Sequence, residues 1–129
     1  MSDLHFAHIV LNVTVLKHSR EFYEKVLRGF RVADESDHHV GYSNGSFSVW
    51  LADEDREGSP FVGTATDKAV GLHHVSWKVE TMEELKEWES YLREQGIEMA
   101  KSGITDDDFG GQGIFFRDPD GVRLEIHLG

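Results

Sequence analysis

Two stretches of the chain repeat one order of apolar and polar positions. Residues 7–13 read AHIVLNV and residues 73–79 read HHVSWKV, both short and β-rich, which predicts a strand at each. Successive strand residues point to opposite faces. The first strand is therefore predicted to turn Ile9, Leu11 and Val13 one way and His8, Val10 and Asn12 the other. The second separates Val75, Trp77 and Val79 from His74, Ser76 and Lys78 in the same manner. Each run leads to a threonine, Thr14 or Thr81, and then to apolar residues at helical spacing. These are Leu16, Phe22, Tyr23, Val26 and Leu27 in the first half and Met82, Leu85, Trp88, Tyr91 and Leu92 in the second. Gly29 and Gly96 follow as helix stops. His8 to His74 is an offset of 66 and Gly29 to Gly96 one of 67, so the register is nearly kept.

Strand-like segments with turns between them complete each half. Asn44-Gly45 is a hairpin signal before FSVWLA at 47–52, and DPDG at 118–121 is the matching turn before VRLEIHL at 122–128. That last strand sets Leu124, Ile126 and Leu128 on one face and Arg123, Glu125 and His127 on the other. Each half thus reads β-α-β-β-β. The predicted fold is α+β, with two βαβββ modules of mixed sheet whose polar strand faces line a concave cleft. The modules span about residues 1–56 and 70–129 of one 129-residue domain, joined by the polar stretch 53–69. The acidic run Asp106-Asp107-Asp108 is expected to form a loop present only in the second half, a solvated charge cluster or a flap over the site.

Composition narrows the possible functions. A hydrophobic content of 39% in 129 residues supports a real core and argues against disorder. The absence of cysteine excludes disulfides, zinc-thiolate sites and a thiol nucleophile. Apolar runs are too short to cross a bilayer and the start lacks a secretory layout, so a cytoplasmic location is expected. A formal charge of −11 disfavours nucleic acid and anionic membranes, leaving a small molecule as the expected partner. An anionic substrate would need a local cationic pocket or a metal.

The candidate chemistry lies on the polar strand faces. His8, His74 and Glu125 match the 2-His-1-carboxylate arrangement, which leaves coordination positions open for substrate and water. Imidazole and carboxylate are available as ligands at neutral pH, and Fe2+, Mn2+, Zn2+ and Ni2+ all tolerate such a set. Taken singly, a strand histidine is more often a structural hydrogen-bonder; the shared repeat position of His8 and His74 is what raises the pair. His127, Arg123 and Lys78 share that face as candidates for orientation or proton transfer, and solvated strand residues are an equal alternative. His73 has the opposite parity and is expected near the helix layer, while His5, His18, His38 and His39 read as surface residues or loop hydrogen-bonders.

AHIVLNV (7–13), SREFYEKVLRGFRV (19–32), GLHHVSWKVET (71–81) and FFRDPDGVRLEIHLG (115–129) together resemble the vicinal oxygen chelate superfamily. That superfamily contains glyoxalase I, extradiol dioxygenases, fosfomycin-resistance enzymes, bleomycin-binding proteins and methylmalonyl-CoA epimerases. The resemblance implies paired βαβββ modules curled around a divalent metal, with ligands at His8, His74 and Glu125. It also implies a homodimer, since some relatives share the ligands between two chains, while others close the site within one.

Departures from the family pattern grade the possible reactions. Counting from the turns puts Val49 at the fourth ligand position of glyoxalase I, and valine cannot ligate. Phe115, Gly110 and Phe47 stand where extradiol dioxygenases carry a tyrosine and two histidines, so a catechol-cleaving mechanism lacks its proton-transfer groups. Gly113 and Phe115 stand where fosfomycin-resistance enzymes place hydroxyls. The leading expectation is a metal-dependent enzyme chelating two adjacent oxygens of a small substrate. An Fe(II) extradiol dioxygenase is the sharper alternative. A bleomycin-resistance-type binding protein, its groove lined by aromatics such as Trp50, Trp77, Trp88, Phe47 and Phe115, is the non-enzymatic one; a fosfomycin-resistance enzyme ranks below both.

Overall fold

The computed structural model describes residues 3–53, 72–106 and 110–129, which fall into two compact units, Met1–Val62 and Gly63–Gly129. The first unit runs β1 (His8–Asn12), α1 (Leu16–Val26), β2 (Arg31–Glu35), β3 (His39–Ser43) and β4 (Ser48–Ala52). The second runs β5 (Val75–Val79), α2 (Met82–Glu94), β6 (Thr105–Asp106), β7 (Gln112–Arg117) and β8 (Arg123–Leu128). The sheets have matching orders, β1-β4-β3-β2 and β5-β8-β7-β6. In each, the first and last strands pair in parallel and the other pairs are antiparallel. This is the predicted βαβββ plan, twice.

The apolar faces pack as the alternation requires. Leu11, Val40, Val49 and Leu51 are buried in the first unit with Leu16, Tyr23 and Val26 of α1. Ile114, Leu124 and Ile126 are buried in the second with Leu85 and Leu92 of α2. Each such side chain contributes roughly 1.5–3 kcal/mol of transfer free energy. α2 begins with a reciprocal cap: Glu84 N donates to Thr81 Oγ1 at 3.1 Å, and that hydroxyl donates to Glu84 Oε1 at 3.0 Å. It ends on Gly96 at φ +73°, with Ile97 N donating to Leu92 O and Gly96 N to Arg93 O. α1 has no side-chain cap; its N-cap is Val15, not Thr14.

The halves differ in their third elements. β6 has two residues where β2 has five, and a 3-10 turn at Ala100–Ser102 occupies the chain before it. Asp106 is therefore the end of a short strand, while Asp107 and Asp108 of the expected acidic loop lie outside the described residues. Apart from Asp53, the expected linker at 53–69 also lies outside them.

Strand register corrects one sequence-based position. Val10 pairs with Trp50 across β1 and β4, and Ser76 with Glu125 across β5 and β8. Since His8 and His74 match, so do Val10 and Ser76, and the counterpart of Glu125 is Trp50, not Val49. The reason is the turns: the β3–β4 hairpin is closed by Asn44 Oδ1 accepting from Ser46 N and Phe47 N. The DPDG turn is closed by Asp118 Oδ1 accepting from Asp120 N and Val122 N. The second turn delivers its strand one position earlier. Val49 and Leu124 are the matching core residues, both fully buried.

Candidate metal centre

β8 is an interior strand, paired with β5 on one side and β7 on the other, and Glu125 sits in its middle, opposite Ser76 and Phe115. That placement leaves only 5% of Glu125 exposed. Its Oε1 lies 3.2 Å from His74 Nε2, and His127 Nδ1 stands 3.5 Å from its Oε2. The second approach is not in hydrogen-bonding geometry, so Oε2 is shielded from solvent with no hydrogen bond. An unpartnered buried carboxylate oxygen is costly. Gly113 on β7 makes room for it: a Cβ there would come within 2.7 Å of Oε2.

His74 precedes β5 directly and is half-buried. Its ring meets the Phe115 ring edge-on at 6.4 Å. Its Nδ1 is 2.8 Å from Nδ1 of His73, and His73 Nε2 accepts from Arg123 Nη1 at 2.8 Å. His73 is exposed on this side of the sheet, a correction to its expected place beside the helix layer. The residue lies before the first paired position of β5, where strand parity no longer governs direction.

The second unit thus brings together His74, Glu125 and His127, with Arg123 joined to them through His73. His8 opens β1 of the first unit, exposed and opposite Ser48. Lys78 is exposed opposite His127. Among the described residues, no group of three or more His, Cys, Asp or Glu side chains is arranged to hold a metal ion; His74 and Glu125 are a pair of adjacent donors. The donor chemistry fits a divalent cation: an imidazole Nε2 and a carboxylate oxygen already adjacent, and a second carboxylate oxygen that a cation would satisfy.

The corresponding place in the first unit is filled differently. Trp50 lies over Gly41, where a Cβ would come within 2.7 Å of the indole, and His39 is 5.9 Å away ring to ring. His39 and His38 are held by Asp34 and Asp53 at 3.0 and 3.1 Å, as hydrogen-bonding histidines should be. Phe47 meets Phe6 at 5.3 Å.

A family model for the Glyoxalase/Bleomycin resistance protein/Dioxygenase superfamily matches residues 5–126. The chain belongs to that superfamily. It is 26% identical to a metallothiol transferase FosB of Staphylococcus saprophyticus over 122 residues, covering 95% of this chain and 75% of that protein. It is also 26% identical to biphenyl-2,3-diol 1,2-dioxygenase 2 of Rhodococcus globerulus, where it spans 62% of the relative's length. A glyoxalase family protein of Enterococcus faecalis shares its fold at a TM-score of 0.68 and 31% identity, covering 97% of this chain and 96% of that one. A lactoylglutathione lyase of Agrobacterium tumefaciens superposes with a TM-score of 0.74 at 19% identity, over 100% and 96% of the two chains, a likeness of fold alone. Among the described residues no helix is long and apolar enough to cross a membrane.

Two residues lie beyond the sequence pattern: parity points His73 toward the helix layer, and the family pattern marks Gly113 only as a missing hydroxyl. A glycine opposite the ligand strand, two residues before Phe115, was the available signal that something needed the space.

Proposed function

We propose that this chain is a metal-dependent enzyme in which His8, His74 and Glu125 hold a divalent cation, and that its substrate is a small molecule presenting two adjacent oxygens. The observation carrying this reading is the buried Glu125 carboxylate, with one oxygen against His74 Nε2 and the other without a hydrogen bond. When bound, the cation supplies Lewis-acid polarisation of the chelated oxygens, a contribution of several kcal/mol. The chain's own residues do the rest. His127, half-exposed beside Glu125 Oε2, is the group best placed to hold or move a proton. Phe115 gives the substrate an apolar wall against His74, and Lys78 adds a cation on the exposed face of β5.

Relatives named as a metallothiol transferase and a diol dioxygenase carry out different reactions, so the substrate is proposed as a class only. Likeness to the dioxygenase supports a second reading, Fe(II)-dependent ring cleavage. Against it, Phe115 opposes Glu125 and offers no hydroxyl. The ligand set is proposed to come from one chain or from two copies in a homodimer.

Metal analysis of protein purified without chelator tests the main reading. The wild type should retain a stoichiometric divalent ion, and His8→Ala and His74→Ala should each lose it. Equal metal in all three would end the proposal. Anaerobic catechol with Fe(II), followed by oxygen, tests the second; absence of ring-cleaved product excludes it. Tight binding of an aromatic drug by metal-free protein would instead favour sequestration without catalysis.

A further inference from the structure

The chain Arg123–His73–His74–Glu125 has a direction, and Arg123 sets it. A guanidinium only donates hydrogen bonds. His73 Nε2, 2.8 Å from Arg123 Nη1, must therefore accept, and the neutral ring carries its proton on Nδ1. That Nδ1–H donates to His74 Nδ1 at 2.8 Å. The His74 proton is then on Nε2, the nitrogen 3.2 Å from Glu125 Oε1. Every member agrees with the next.

This arrangement is the wrong one for a metal ligand. Coordination through His74 Nε2 needs a lone pair on that atom, which moves the ring proton to Nδ1. His74 Nδ1–H then donates to His73 Nδ1, and the His73 proton must sit on Nε2. There it would point at the Arg123 N–H, and two donors cannot share one hydrogen bond. We infer that Arg123 and His73 are positioning residues forming a two-state latch: they hold His74 protonated on Nε2, and a divalent cation binding there breaks the Arg123–His73 bond. The inference rests on the metal reading above for its second half only; the proton positions of the metal-free protein are independent of it.

Both halves can be read on the full chain with ring-15N histidine, using long-range proton–nitrogen NMR and Zn2+ alone as the probe. Metal-free wild type should show His74 with its proton on Nε2 and His73 with its proton on Nδ1, and saturating Zn2+ should reverse both. Arg123→Met removes the hydrogen bond that metal binding must break and should bind Zn2+ roughly tenfold more tightly by calorimetry. A metal-free His74 carrying its proton on Nδ1 overturns the latch, and so does an unchanged Zn2+ affinity in Arg123→Met. Zn2+ binding to neither protein overturns the metal reading and the coupling with it, while the metal-free spectra still judge the wiring. Should Arg123→Met fail to fold, the wild-type spectra with and without Zn2+ decide alone.

Discussion

Gly113 on β7 stands directly beneath the carboxylate of Glu125 on β8, so close that a Cβ at 113 would lie 2.7 Å from Glu125 Oε2 and 3.0 Å from the backbone oxygen of Ile126. The side chain has some freedom to yield; the backbone oxygen has little. Gly113→Ala is expected to destabilise the protein by about 1–3 kcal/mol, read as a lower midpoint in urea. It should also push the carboxylate away from His74 and weaken divalent-ion binding in calorimetry.

Glu125→Gln keeps the shape of the side chain and removes its charge. Divalent-ion affinity is expected to fall roughly a hundredfold or more, measured by calorimetry with Mn2+ or Zn2+. Circular dichroism should show the fold intact. Unchanged affinity would mean that this carboxylate does not serve a cation.

Thr81 satisfies an otherwise unpaired amide at the start of α2. Thr81→Ala is expected to cost about 1 kcal/mol of stability and Thr81→Ser much less. Thermal melts of the two variants check this.

Tyr42 on β3 is 2% exposed, and burial pushes its phenol from 10.0 up to about 12. Folding therefore favours the neutral form. The associated stability is whole below pH 10 and is lost as pH rises toward 12. Ultraviolet difference titration should show a late tyrosine step in the native protein that is lost in Tyr42→Phe.

Local pattern was enough for the elements and their order. Alternation in AHIVLNV and HHVSWKV, helical spacing through Leu16–Leu27 and Met82–Leu92, and the glycine stops all act over a few residues, and the same forces shape the folded units. The repeat then paired His8 with His74, and the parity of 123–128 put Glu125, Arg123 and His127 on one face. Three things depended on tertiary structure. The counterpart of Glu125 is Trp50 because hydrogen-bond register across β1–β4 and β5–β8, not distance from a turn, decides which residues correspond. His73 joins Arg123 fifty residues away because β5 and β8 are neighbours in the sheet, a pairing that no local periodicity encodes. Burial of Glu125 follows from β8 lying between two strands. Sequence determines which way a side chain leaves its own strand; only the assembled sheet determines what it meets there.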